Sequence, residues 1–67
     1  MVREYAKEYY FKKFKKVLRN RELTIADLTA RLELPRSTVQ RWVDIFVASG
    51  LLEERWDGNK KFVRVKR

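Results

Sequence analysis

Arg36, Ser37, Thr38, Gln40, Arg41 and Asp44 crowd into one short run of the chain. Arginine offers a planar fork of donors, glutamine a paired donor and acceptor, and serine and threonine a rotatable hydroxyl. Arg36 or Arg41 can give two bonds to guanine O6 and N7, and Gln40 can pair with an adenine edge. Ser37 and Thr38, with the backbone N–H groups of a helix start, suit phosphate. They suit plain helix capping equally well. Asp44 is the odd member, three residues from Arg41, where it can orient that guanidinium or repel phosphate.

These groups need a helix to hold them, and the segment from Leu34 to Gly50 has the spacing for one. Val39, Trp42, Val43, Phe46 and Gly50 recur at three- and four-residue steps, which puts them on one side of a 3.6-residue helix. The polar residues fall on the other side. The spacing predicts a helix over residues 35–49, with Pro35 in the first position, where its missing N–H is harmless. Gly50 closes it.

A second helix is expected at residues 24–32. Thr24 and Asp27 have capping-box spacing, and Leu23 and Leu28 flank the box as a hydrophobic staple. Ile25, Leu28 and Leu32 face inward. Glu33 and Leu34 make the turn, and Leu23 can add one extended residue to a sheet. Two helices joined by so short a turn form a helix-turn-helix, whose second member enters a groove. Residues 3–19 read as a first helix. Its stripe of Val2, Tyr5, Ala6, Tyr9, Tyr10, Phe14, Val17 and Leu18 is bordered by lysines that are either a solvated face or phosphate contacts. Phe14, Val17 and Leu18 are core candidates. Val2, Tyr5, Tyr9, Tyr10 and Phe11 exceed what a small core needs and are expected to form a homodimer interface. After Gly50, residues 51–66 read as two strands around Asp57-Gly58-Asn59, a hairpin with Asn59, Lys60 and Lys61 at its tip. Val63 and Val65 alternate with Arg64 and Lys66, giving one apolar and one basic face.

The chain has 67 residues, one domain with a single core. Histidine and cysteine are absent, which removes disulfides, Cys/His zinc sites and most nucleophilic or proton-shuttling catalysis. No metal, cofactor, enzymatic activity or small-molecule effector is expected. No apolar run approaches membrane-spanning length, so the expectation is a cytoplasmic, nucleoid-associated protein. High charge without cysteine also suits a heat-adapted source. Seventeen Lys and Arg face nine acids, a net charge of +8. Residues 1–20 carry seven cations and two acids, residues 21–50 four of each, and residues 51–67 six cations and three acids. The excess lies at the two ends, where it points to phosphate, and any sequence reading falls to the middle.

The wording of the central segment, LTIADLTARLELPRSTVQRWVDIFVASGLLEER, resembles the DNA-binding module of bacterial and archaeal regulators. The isocitrate-lyase-regulator type is most similar through LPRSTVQR, and the multiple-antibiotic-resistance and arsenical-resistance types share the order of elements. The resemblance implies an α+β, mainly α fold: a three-helix winged helix-turn-helix with a C-terminal β-hairpin wing. It implies a sequence-specific double-stranded DNA-binding regulator, a repressor. Residues 35–49 become the recognition helix, with Arg36, Ser37, Thr38, Gln40 and Arg41 toward DNA, and Arg55, Lys60, Lys61 and Arg64 lie on the wing. Arg64 is expected to reach a minor groove and Trp42 and Phe46 to pack. Two departures stand out: Thr29 where many relatives have a small apolar residue, and Glu33 where many have glycine. Ile45 and Val47 also stand where regulators that this segment resembles usually carry charged residues, so an exposed apolar pair there implies a covering surface from the first helix or from a partner. Two other functions share these features, a protein-docking winged helix and a non-specific architectural nucleic-acid-binding protein.

Overall fold

The computed structural model describes residues 2–66, with side chains from residue 6 to residue 66. In chain order the elements are α1 (Val2–Val17), β1 (Leu23–Thr24), α2 (Ile25–Leu32), α3 (Arg36–Ala48), β2 (Leu52–Asp57) and β3 (Lys60–Val65). The three strands form one antiparallel sheet in the order β1-β3-β2. This is the three-helix winged helix-turn-helix, its wing formed by β2 and β3. Among the described residues no helix is long and apolar enough to cross a membrane.

Local chemistry sets the boundaries. Thr24 has extended backbone angles, and its hydroxyl accepts from the Asp27 N–H at 3.2 Å. This satisfies a donor that the first turn of α2 would otherwise leave without a partner. Leu23 and Leu28, on either side of that cap, are both buried. The Thr29 hydroxyl donates to the Ile25 carbonyl at 2.8 Å, so the extra oxygen costs no unsatisfied group. The helix stops at Glu33, which adopts a left-handed conformation at φ 56° while its N–H donates to Thr29 O at 3.0 Å.

Two expected boundaries shift. The first helix ends at Val17, two residues early, and Asn20 turns the chain with φ 55°. Pro35 caps α3 from outside: its ψ of 147° is extended, while its carbonyl already accepts from the Val39 N–H at 3.0 Å. The far end of α3 has the paired bonds of a Schellman motif, Gly50 N–H to Val47 O and Leu51 N–H to Phe46 O. Gly50 supplies the positive φ this requires, 78°. At the wing tip Gly58 and Asn59 join Asp57 to Lys60, and Gly58 takes φ 64°.

The core lies where the three helices meet the base of the hairpin. Phe14 and Leu18 of the α1 end, Ile25 and Leu28 of α2, Val39, Val43 and Phe46 of α3, and Leu52 and Val63 of the wing are all buried. Val17 and Leu32 are half-buried against this cluster. Ile45 and Val47 are half-buried too, packed against the same core. The covering surface expected from the first helix or a partner is thus supplied, in part, by the chain's own core. At about 100° per residue they flank Trp42 and Val43, so the apolar arc of α3 is wider than one stripe.

Candidate nucleic-acid interface

The buried line Val39, Val43 and Phe46 fixes how α3 is turned, and the residues opposite it are left outside. Ser37, Arg41 and Asp44 are exposed, as is Arg36 in the first turn, while Thr38 and Gln40 are half-buried on the flanks. Pro35 contributes no side-chain bond to the first turn of α3, so its N–H groups remain available to an acceptor from outside.

Of the amino-terminal tyrosines whose side chains are described, Tyr10 packs on the opposite side of α3 and Tyr9 against Tyr10. Tyr10 stacks on Trp42 with centroids 4.8 Å apart, Trp42 stacks on Phe46 at 5.5 Å, and Phe11 tilts against Phe46 at 5.3 Å. All of this occurs on the inward side of α3. Tyr10 and Phe11, expected at a homodimer interface, are half-buried against their own chain, where a long α1 crosses the aromatic end of α3. Trp42 and Phe46 pack as expected. Tyr9 remains 48% exposed, edge-on to Tyr10 and with the Lys13 ammonium over its ring. Val2 and Tyr5 lie outside the residues whose side chains are described.

Between α3 and the wing runs an open groove of about 590 Å³. Arg36 and Gln40 line it from α3, Thr24 to Asp27 from the start of α2, and Trp56, Asn59, Lys60, Lys61 and Phe62 from the wing. Of the candidate contact residues the structure thus brings Arg36, Gln40, Asn59, Lys60 and Lys61 to one concavity. Ser37, Thr38, Arg41 and Asp44 continue along α3 outside it. Gln40 donates from Nε2 to Asp44 Oδ1 at 2.9 Å, one helical turn apart. Asp44 therefore orients Gln40, where Arg41 was the expected partner. Arg41 makes no ion pair among the described residues.

Arg55 and Arg64 lie elsewhere. Arg55 forms a two-pronged bond to Glu22, Nη2 to Oε1 at 2.7 Å and Nε to Oε2 at 2.9 Å. Arg64 is held by Glu53 at 2.7 Å and lies 3.7 Å from Glu22. Lys61 pairs with Glu54 at 3.0 Å. The Arg55 hydrogen bond holds the Glu22 carboxyl below its ordinary value, assisted by the charges of Arg55 and Arg64 and opposed by desolvation. The same bond raises the Arg55 pKa further. Three of the four basic wing candidates thus have an acid of their own chain, and among the described residues only Lys60 has none. Exposed pairs of this kind add little stability, but they subtract from the charge a polyanion would meet.

Trp56 is the groove residue that the sequence did not single out. It is 65% exposed. Its signal was available in the alternation of β2, where it falls on the face of Leu52 but two pairs farther out, beyond the end of the core.

A search of solved structures finds the same fold in two bacterial proteins. The transcriptional regulator HlyU from Vibrio vulnificus CMCP6 superposes with a TM-score of 0.81 at 22% identity, over 88% of this chain and 62% of that one. Reduced HlyU from Vibrio cholerae N16961 gives 0.70 at 22% identity, over 100% of this chain and 80% of that one. The chain therefore spans less than two thirds of the Vibrio vulnificus protein. No curated protein matches it. The profile of the IclR helix-turn-helix domain matches residues 18–55, from the end of α1 through both helices of the motif and into β2. This match takes in more than half of the sequence, and the chain belongs to the IclR helix-turn-helix domain family.

Proposed function

We propose that this domain is a sequence-specific double-stranded DNA-binding transcription regulator that represses by occupying its site. One observation carries the proposal: the polar side of α3 is open, and a groove edged by Arg36, Gln40 and Lys60 separates it from the wing. Membership of a helix-turn-helix family supports it. In this account α3 enters the major groove with its amino-terminal end deepest. Arg36 and Arg41 read guanine, and Gln40, steadied by Asp44, reads adenine, each worth about 1–3 kcal/mol of discrimination. Ser37 and Thr38 hold phosphates, while Asn59 and Lys60 follow the backbone. A homodimer would pair two half-sites about 10–10.5 base pairs apart or a multiple of that. It would use the outer face of α1, where Tyr9 is exposed.

Selection from a random duplex pool tests the central claim, since a regulator enriches a motif and a packaging protein does not. Arg41→Ala should then relax preference at one position, while Lys60→Ala should weaken all sequences alike. Unchanged preference in Arg41→Ala would remove the assignment of α3 as reader. The ion-paired wing favours a second function, a protein-docking module. That module would show almost no duplex affinity at moderate salt, whereas a DNA binder loses affinity linearly in log salt.

A further inference from the structure

Side chains alternate along β2, so Leu52, Glu54 and Trp56 share one face of the hairpin with their partners Val65, Val63 and Lys61. At the base of the wing this face is core, with Leu52 and Val63 buried. By Trp56 the same face has run out past the core. The indole is left 65% exposed, the most exposed large apolar side chain among the described residues.

A single exposed apolar residue is ordinary on a protein surface. Two further observations set this one apart. The ring lines the groove shared by Arg36 and Gln40 of α3 and by Lys60 at the wing tip, with the Lys61 ammonium 5.8 Å from its centroid. The wing's cations, meanwhile, are largely matched inside the chain: Arg55 by Glu22, Arg64 by Glu53, Lys61 by Glu54. Such a hairpin has little free charge for phosphates and a broad flat ring at the mouth of the groove.

We propose that Trp56 is a nucleic-acid contact of the wing, its indole packing on the sugars and groove edge of a duplex whose major groove holds α3. The occupant is duplex DNA because the groove's rim is cationic at Arg36 and Lys60, which complements a polyanion. The proposal rests on the DNA-binding function above and adds a residue and a physical character to it. The contribution of Trp56 is apolar and nearly independent of salt, unlike the phosphate contact of Lys60 at the wing tip.

The experiment uses the full chain and the duplex enriched from the random pool, with Kd measured across a series of salt concentrations. Trp56→Ala should weaken binding roughly 5- to 30-fold, the effect of returning part of an indole's apolar surface to water. The slope of log K against log salt should be unchanged. Trp56→Phe should recover most of the loss. Lys60→Ala should make the slope shallower by about 0.9, the signature of one lost phosphate contact. Wild-type indole emission should change on adding DNA, and that change should vanish in Trp56→Phe, where only the stacked Trp42 remains. The exposed site should leave the thermal melt of each variant intact. Trp56→Ala binding within about twofold of wild type at every salt, or a loss that disappears at low salt, overturns this role and leaves DNA binding standing. Wild-type protein that binds no duplex overturns both.

Discussion

Glu33→Gly should make the domain more stable, and the turn between α2 and α3 says by how much. Glu33 has φ 56° and ψ 43°, a left-handed conformation whose Cβ crowds the following carbonyl. For a residue with a side chain this costs about 1–2 kcal/mol. Glycine relieves the strain but gains freedom in the unfolded chain, which returns about 0.4–1 kcal/mol. The carboxylate also stands at the negative end of α2, where its removal helps by a few tenths of a kcal/mol or so. Glu33 is exposed, and its backbone bond to Thr29 O survives the change. The balance is a gain centred on about 1 kcal/mol, or a rise in Tm of roughly 4–8 °C for a domain of this size. Urea unfolding should show a higher midpoint at constant m. Glu33→Ala is the control: it removes the charge, keeps the strain, and should recover only the small electrostatic part. A glycine variant no more stable than the alanine variant would refute the strain argument.

The Glu22 carboxyl is held below its ordinary value of 4.5 by its bond from Arg55. A carboxylate with a lowered pKa stabilises the folded state above its unfolded value and loses that contribution as pH falls through the folded one. Wild type and Glu22→Gln should therefore differ in thermal stability at neutral pH, converge in acid, and differ less in high salt. Equal melts at neutral pH and low salt would show that the pair does not steady the wing. Tyr10→Ala, which breaks the stack on Trp42, should cost about 1–3 kcal/mol in urea unfolding, and Tyr9→Ala less than about 1. Equal costs would mean that the inner and outer rings of α1 have been confused.

What the sequence disclosed well was whatever depends on neighbours in the chain. The Thr24–Asp27 cap, the Asp-Gly hairpin and the Gly50 stop all follow from side chains within a few positions of each other. The buried line of α3 is a matter of periodicity and was equally plain. What depends on distant partners was not. Arg55 looks like a free cation until Glu22, far back in the chain, meets it in three dimensions. Tyr10 and Phe11 look surplus until the crossing of α1 over α3 sets them against Trp42 and Phe46. Trp56 sat in a legible strand, but nothing in the spacing says where the core beneath that strand ends.

The aromatic packing of α1 bears on any shortened version of this domain. The family profile matches residues 18–55, a span without Tyr10, Phe11, Phe14 and Val63. Phe46 touches two of those rings directly and is itself buried. Cut to the matched span, the motif would keep α3 and bare that helix's dry side to water. The segment that identifies the family is smaller than the segment that closes the core, and a shortened domain made from it would need both flanks restored.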